Sequence, residues 1–266
     1  MSDLIHVILL GIIEGITEFL PISSTGHLLI AEKLGLGARS DLFNVGIQAG
    51  AILAITFIYR ARIWELFSNW RDPANRDYLF KLIVSSLITS ILGAIIVVHF
   101  HFKLPETIIP IAWAFVIGGI WMIVAEQIAA KQVDRTQVTW RVAILAGIAQ
   151  MVAGVFPGTS RSGATIFTAM LAGTSNRAAA TEFAFLVGIP TMYAATGYEL
   201  LKAMKHPNGA AEDWSALIVG FIVSLIVGFI AVKWLLGYIR YHRFTPFAIY
   251  RIVLGVVLLL LVPAGG

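Results

Sequence analysis

Two short segments of this sequence carry polar residues of the types that bind and cleave phosphate groups. The first holds Glu14 and Glu18, which lie four residues apart and so share one face of a helix. A turn at Pro21 follows, and after it come Ser23, Ser24, Thr25, Gly26 and His27. Amides and hydroxyls at the start of a helix bind anions, because they point at the ligand where the helix dipole favours negative charge.

The second segment supplies a cation and further hydroxyls. The planar guanidinium of Arg161 can grip two phosphate oxygens, and Gly158 and Gly163 allow the backbone to approach a ligand closely. Further hydroxyls come from Ser160, Ser162 and Thr165. We therefore expect phosphate contacts from Ser23, Thr25, Gly26, Ser160, Ser162 and Thr165, with Gln48 as a further lining residue.

The residue types leave the attacking group open. His27 or Ser24 could attack phosphorus, with Glu18 orienting or deprotonating the partner. Glu14 and Glu18 could hold Mg²⁺ or Ca²⁺, which would neutralise phosphate charge. The same residues could instead serve helix packing, as small polar residues do, or form a Na⁺ or H⁺ site in a transporter. Arg161 has no acid beside it in sequence, and this favours an anionic ligand.

Composition places these segments in a membrane protein. Of 266 residues, 58% are hydrophobic and 13% charged, against about 45–50% and about 25% in soluble domains. Lipid must therefore be the solvent for much of the chain. The absence of cysteine excludes disulfides, thiolate nucleophiles and Cys-ligated zinc. The net charge of +4 comes from basic residues between apolar runs, which are topology signals and do not indicate a nucleic-acid partner.

The apolar runs predict the elements that carry the two polar segments. Six runs have the length of a transmembrane helix, and they lie near 42–59, 79–100, 108–130, 182–204, 214–239 and 247–263. Four shorter segments form two pairs, which lie at 4–20 with 24–36 and at 142–156 with 163–173. Because non-helical backbone at membrane depth must be buried in protein or line a wet cavity, we interpret each pair as a re-entrant helical hairpin. The prediction is one all-α polytopic membrane domain, 1–266.

Charges in the connections predict the orientation. Eleven lysines and arginines lie in one set of connections, which covers 60–78, 131–141, 174–181 and 233–246. Five lie in the other set, which covers 32–41, 99–107 and 202–213. The positive-inside rule places the first set in the cytoplasm and, with six spans, both termini outside.

The two halves resemble each other at an offset of 136 residues. Gly11–Glu14 aligns with Gly147–Gln150, and Phe19–Pro21 aligns with Val155–Pro157. Repeat 1 covers about 1–130 with hairpin 4–36, and repeat 2 covers about 137–266 with hairpin 142–173. Each half has three spans, an odd number, so the second copy must cross the membrane upside down. This is an inverted-topology repeat, in which the two polar turns meet near the midplane.

The segments Glu14–His27 and Pro157–Thr165 resemble the bacitracin-resistance type undecaprenyl-diphosphate phosphatase family. The resemblance runs essentially the full length, with further support from Phe43–Leu53, Glu182–Phe185 and Pro246–Arg251. It implies a bacterial inner-membrane enzyme that hydrolyses undecaprenyl diphosphate to the monophosphate and phosphate, and so recycles the lipid carrier for cell-wall building. It also implies a site that opens to the outer side and requires a divalent cation.

The resemblance carries over Glu18, Ser24, His27 and Arg161 as catalytic residues, with Glu14 and Ser160 in support. It does not settle which of Ser24 and His27 attacks phosphorus. We favour His27 as the nucleophile or its activator, with Ser24 at the phosphate and Glu18 as base and metal contact. The expected partners are a polyprenyl diphosphate lipid and the bilayer, and a homodimer is left open. The alternative function is a secondary transporter or lipid flippase, because such proteins use the same inverted repeats and broken helices.

Overall fold

The computed structural model describes residues 2–96, 107–205 and 213–262, and the regular elements within these ranges are helices. They are α1 (Ser2–Thr17), α2 (Ser24–Ala31), α3 (Asp41–Ile58), α4 (Arg60–Ser68), α5 (Pro73–Ala94), α6 (Ile108–Ala129), α7 (Trp140–Val155), α8 (Arg161–Ala172), α9 (Arg177–Lys205), α10 (Trp214–Tyr238) and α11 (Thr245–Leu261). A π-helical turn, Glu32–Leu36, continues α2.

Five helices within the described ranges are long and apolar enough to cross a membrane, namely α3, α5, α6, α10 and the Arg177–Lys202 part of α9. The prediction of an all-α, multi-pass membrane protein is thereby confirmed. The sixth predicted span, 247–263, coincides with α11, which has 17 residues and is among the shorter apolar helices. The predicted connections 99–107 and 202–213, and the end of the predicted span 79–100, extend outside the described residues.

Two spans begin earlier than the sequence predicted. Helix α5 begins at Pro73, where the Asp72 carboxylate caps it by accepting a hydrogen bond from Ala74 N at 3.0 Å. Helix α9 begins at Arg177, and the Asn176 side chain accepts from Ala179 N at 3.0 Å. Polar first turns of this kind are set by capping, and hydropathy does not detect them.

The predicted hairpin segments form two helix pairs, α1 with α2 and α7 with α8. Helices α1 and α7 have 16 residues each, which gives a length of about 24 Å against a hydrocarbon thickness of about 30 Å. Helices α2 and α8 are shorter still, with 8 and 12 residues. By length, none of the four crosses a bilayer alone.

The two halves of the chain interleave. Helix α10 packs on α1 and α3, α5 packs on α7 and α9, and α6 packs on α11. Glycines allow the hairpin helices to approach closely, because a Cβ at Gly15 would lie 2.8 Å from Gly228 N, and one at Gly147 would lie 2.6 Å from Ser85 O. This packing brings the turn after α1 and the turn before α8 side by side. We call them the first elbow (18–24) and the second elbow (156–161).

Candidate active site

A carboxylate from the first elbow connects the two elbows. Glu18 Oε1 accepts a hydrogen bond from Arg161 Nη2 at 2.8 Å, and Glu18 Oε2 accepts one from the Ser24 hydroxyl. The Glu18 side chain is 3% exposed and that of Arg161 is 27% exposed. The structure therefore brings together three of the four predicted catalytic residues, which lie up to 143 residues apart in sequence.

Both elbows end in the same backbone conformation, followed by the same kind of helix cap. Ser23 (φ 74°, ψ 101°) precedes α2 and Ser160 (φ 69°, ψ 108°) precedes α8, and both adopt a positive φ that non-glycine residues rarely take. Each serine hydroxyl caps its helix by accepting from a backbone amide three residues later, Gly26 N at 3.4 Å and Gly163 N at 3.2 Å. The turn makes Ser24 and Arg161 the first residues of two helices whose positive dipole ends lie at the same place.

A cavity of about 160 Å³ lies between the elbows. Its walls come from both halves of the chain and include Glu18, Ser24 and Arg161, which we call the catalytic trio because all three are predicted catalytic residues. The lining residues are Glu18, Ser23, Ser24, Thr25, Gln48, Ala153, Gly154, Pro157, Gly158, Ser160 and Arg161. Three residues expected to contact phosphate, namely Ser23, Thr25 and Ser160, are therefore placed on its wall, together with Gln48, which was expected to line the site.

Three other residues expected to contact phosphate do not line this cavity. Ser162 and Thr165 line a smaller neighbouring cavity, and their hydroxyls donate to Leu20 O at 3.1 Å and to Arg161 O at 2.8 Å. Gly26 is a packing position, since a Cβ there would lie 2.6 Å from the Phe115 ring. Ser162 thus connects the two elbows, Thr165 bonds within α8, and Gly26 packs α2 against α6.

His27 points away from the cavity, toward α11. Its Nδ1 lies 2.7 Å from Ser23 O and its Nε2 lies 2.7 Å from the Tyr250 hydroxyl. The imidazole stacks on the Tyr250 ring, with centroids 5.7 Å apart. Because a carbonyl oxygen only accepts, Nδ1 carries the proton and Nε2 accepts from the phenol. Both ring nitrogens are thus engaged outside the catalytic trio.

Glu14 is buried one helical turn before Glu18. It is 0% exposed, and neither carboxylate oxygen makes a hydrogen bond of good geometry within the described residues. The side chains of Glu18 and Gln48 lie near enough for weaker hydrogen bonds, and Arg161 is a further charged neighbour. A poorly bonded pair of oxygens beside a second carboxylate matches the donors that Mg²⁺ and Ca²⁺ take. In the described ranges no three His, Cys, Asp or Glu side chains cluster.

Two residues of α11 contact the elbows or the residues next to them, and the sequence analysis assigned no role to either. Tyr250 holds His27, and Arg251 is 1% exposed and donates to backbone carbonyls of both elbows. A signal for Arg251 was present, because it is a charged residue inside the apolar run 247–263.

The comparisons with known proteins agree with this geometry. The family model described as Bacitracin resistance protein BacA matches residues 7–257. The chain belongs to this family. The resemblance inferred from the motifs is therefore confirmed. The match covers both elbows and α11 from its start to residue 257.

Close relatives of this BacA-family chain are named for an activity. An undecaprenyl-diphosphatase of Rhizobium leguminosarum bv. trifolii is 67% identical over 97% of this chain and 96% of its own length. One of Rhizobium etli is 68% identical over 99% and 98%, and one of Xanthomonas euvesicatoria pv. vesicatoria is 58% identical over 99% of both chains.

The trio suits phosphoryl transfer in this BacA-family chain. A hydroxyl that donates to a buried carboxylate has a base in place to take its proton. A guanidinium on the same carboxylate can turn its remaining N–H groups to phosphate oxygens. The cavity lies among membrane-embedded helices, and this location fits a substrate anchored in lipid.

Proposed function

We propose that the chain is an undecaprenyl-diphosphatase, which hydrolyses undecaprenyl diphosphate to undecaprenyl phosphate and phosphate and so recycles the lipid carrier for cell-wall building. The observation that carries the proposal is the Glu18 carboxylate, which is shared by Ser24 and Arg161 in a polar cavity. The chain is also 58–68% identical to proteins named for this activity.

Ser24 is the nucleophile in this mechanism. Its Oγ attacks the terminal phosphorus while Glu18 takes the hydroxyl proton, and the bond from that phosphorus to the bridging oxygen breaks. Undecaprenyl phosphate leaves with the proton from Glu18, or it leaves as its anion and Glu18 gives that proton to solvent. Water, deprotonated by the ionised Glu18, then attacks the phosphoserine. The bond from phosphorus to Ser24 Oγ breaks, phosphate is released, and Glu18 returns the proton to Ser24. Arg161 binds the non-bridging oxygens and stabilises their charge through both steps.

His27 changes role relative to our sequence-based preference. Its two nitrogens are held by Ser23 O and the Tyr250 hydroxyl, and the cavity wall does not include it. Ser24, in contrast, lines the cavity and donates to Glu18. We therefore assign His27 to holding the Ser23 turn, which sets where Ser24 begins α2.

A divalent cation, Mg²⁺ or Ca²⁺, completes the proposed site. Glu14 and Glu18 would hold it, and oxygens of the substrate phosphates and water would fill the remaining positions. When bound, the cation supplies charge neutralisation for the diphosphate. The poorly bonded oxygens of Glu14 support this assignment.

For topology, we propose six spans and two re-entrant hairpins arranged as an inverted repeat in the bacterial inner membrane. The matching serine caps of the two elbows and the exchanged packing of α5 and α10 support the repeat. The cavity wall includes Gln48 in the first half of α3 and Gly154 near the end of α7. The first half of α3 is the half toward the 32–41 connection, which the charge count places outside, so in this proposal the site faces the outer side.

The activity is tested by phosphate release from undecaprenyl diphosphate, using purified protein in detergent with Mg²⁺. We expect the wild type to release phosphate and Arg161→Ala to lose at least about 100-fold in kcat/KM. A transporter or flippase would release none in detergent, and it would move lipid only across a sealed vesicle. Equal release by both proteins would reject the site assignment.

The nucleophile is tested by Ser24→Ala and by rapid quench with labelled substrate. Ser24→Ala is expected to abolish the phosphoserine trapped from the wild type. If Ser24→Ala still turns over at the wild-type rate, water attacks phosphorus directly. Trapping of a phosphohistidine would instead show that His27 is the nucleophile.

Topology can be read by cysteine labelling, because the chain contains no cysteine of its own. Ala38→Cys should react with an impermeant maleimide in intact cells, and Gln132→Cys only after permeabilisation. Labelling of both from outside would contradict the six-span arrangement. A homodimer stays a prediction, which light scattering of the solubilised protein tests.

A further inference from the structure

A buried arginine on α11 connects the two elbows through their backbones. Arg251 Nη1 donates to Thr159 O at 3.1 Å and to Pro21 O at 3.3 Å. Arg251 Nη2 donates to Gly158 O at 2.8 Å and to Ala114 O at 2.9 Å. One guanidinium therefore binds the first elbow, the second elbow and the interior of α6.

We propose that Arg251 is a positioning residue for the phosphatase reaction, which fixes the first elbow against the second. The inference rests on the proposed function. Arg251 does not line the cavity, so it acts through the backbone and does not touch the substrate. The three elbow carbonyls lie in turns, where a side-chain donor takes the place of helical amides.

Arginine suits this position because of its shape. Its planar group presents five N–H donors in a fixed fork, whereas lysine presents three donors on one point charge. Among the described residues, none of the ion pairs involves Arg251. Its guanidinium carbon lies 5.6 Å from the centre of the Phe115 ring. Its Nη1 also lies 3.9 Å from the Met122 sulfur. Its contacts within the described residues are therefore carbonyls, a thioether and an aromatic face, and no carboxylate recruits it for charge alone.

The catalytic trio depends on the register that Arg251 holds. Glu18 and Ser24 belong to the first elbow and Arg161 to the second, so their side-chain contact alone would have to align two separate turns. Arg251 adds a second connection behind the cavity wall, at Gly158. A misplacement of about 1 Å between reacting groups can cost about 100-fold in rate.

Two neighbouring glycines of α6 offer a matched test that leaves Arg251 in place. A Cβ at Gly118 would overlap Arg251 Nη2. A Cβ at Gly119 would crowd α11 equally, at 2.7 Å from Ala248 O and from Ile252 Cγ1, but it would lie 3.4 Å from Arg251 Cβ and outside the reach of the guanidinium. Gly118→Ala therefore meets the guanidinium itself, whereas Gly119→Ala meets the α11 backbone and the Ile252 side chain and not the guanidinium.

The experiment measures kcat and KM for Arg251→Lys, Gly118→Ala and Gly119→Ala with undecaprenyl diphosphate in detergent. We expect Arg251→Lys to lower kcat about 100-fold and Gly118→Ala about 10-fold, with KM near the wild-type value. Gly119→Ala should keep the wild-type kcat even where its thermal stability falls. Wild-type kcat in Arg251→Lys would show that charge alone suffices. An equal loss of kcat in both glycine variants would show that disturbed helix packing, and not the displaced guanidinium, causes the loss. Either result overturns the proposal.

Amide hydrogen exchange gives a readout that does not need activity. We expect Arg251→Lys and Gly118→Ala to exchange faster than wild type at both elbows, and Gly119→Ala at neither. If wild-type protein hydrolyses no undecaprenyl diphosphate, the proposed function fails, and this exchange pattern still decides whether Arg251 holds the elbows. Unchanged exchange in both variants would reject that role.

Discussion

The two elbows share a backbone and differ in the side chains they carry. Ser23 and Ser160 have nearly the same φ and ψ, and each caps the helix that follows by accepting from the amide three residues later. The preceding helices, however, place Glu14 in α1 where the aligned position of α7 has Gln150. In the proposed mechanism, α1 and the first elbow thus provide the two carboxylates and the attacking hydroxyl, and the second elbow provides the Arg161 guanidinium.

These two aligned residues are both buried, but they differ in the hydrogen bonding of their polar atoms. Among the described residues, Glu14 is 0% exposed without a hydrogen bond of good geometry, whereas Gln150 is 4% exposed and donates to the Thr191 hydroxyl at 2.5 Å. Buried polar atoms in native proteins are nearly always bonded, so a poorly bonded carboxylate needs a physical reason. The comparison shows that the α1 position keeps a carboxylate with weak contacts, while the aligned α7 position bonds its amide group; the proposed cation site would explain this difference.

The largest expected effect is at the carboxylate that joins the elbows. Glu18→Gln keeps the side chain's size but cannot take a proton, so kcat for phosphate release should fall about 1000-fold. Steady-state phosphate release in detergent measures this.

Glu126 provides the matched control for Glu18. It is a buried acid that accepts from Arg177 Nε at 2.8 Å, and its pair has the same side-chain exposures, 27% and 3%, as the pair of Arg161 and Glu18. Glu126 does not line the cavity between the elbows. Glu126→Gln should lower thermal stability while turnover persists. If Glu126→Gln loses the same factor in kcat, a buried ion pair rather than a base explains the loss at Glu18.

The second-largest expected effect concerns stability, which should rise on substitution of Glu14 in α1 and fall on substitution of the aligned Gln150 in α7. Glu14→Met removes a poorly bonded buried carboxylate, and it should raise stability by about 1–3 kcal/mol while lowering activity about 10- to 100-fold. Gln150→Met removes one satisfied hydrogen bond, and it should lower stability by about 1 kcal/mol with kcat unchanged. Thermal unfolding and phosphate release, each measured against Mg²⁺ concentration, test both variants. Stabilisation without loss of activity in Glu14→Met would remove Glu14 from the proposed cation site.

Sequence reasoning located the elbows because it relied on the cost of charge in lipid. Glu18 and Arg161 stand out in apolar segments, and Pro21 and Pro157 mark where helices break. These signals are local, so a single sequence contains them. The apolar runs gave the spans for the same reason, although the capped starts at Pro73 and Arg177 lie in polar turns.

The contacts made by α11 could not be derived in this way. His27 meets Tyr250 across 223 residues, and Arg251 meets Pro21 across 230. No local pattern specifies which apolar helix packs behind the elbows. The positive φ of Ser23 was also undetectable, since glycine, and not serine, is the residue that ordinarily marks left-handed backbone. The contact of His27 with Tyr250 was therefore outside the reach of the sequence, and its catalytic role stays a prediction.

The smallest expected effect tests whether the two elbows are equivalent as turns. Ser23→Ala and Ser160→Ala each remove a cap and leave a left-handed backbone without it, so each should lower stability by about 1–2 kcal/mol. Ser23→Gly and Ser160→Gly should lower stability by only about 0.3 kcal/mol, because glycine adopts positive φ without strain. Thermal unfolding in detergent measures all four variants. Equal losses at the two positions follow from the matching geometry, whereas a loss confined to Ser23 would show that only the first elbow depends on its cap.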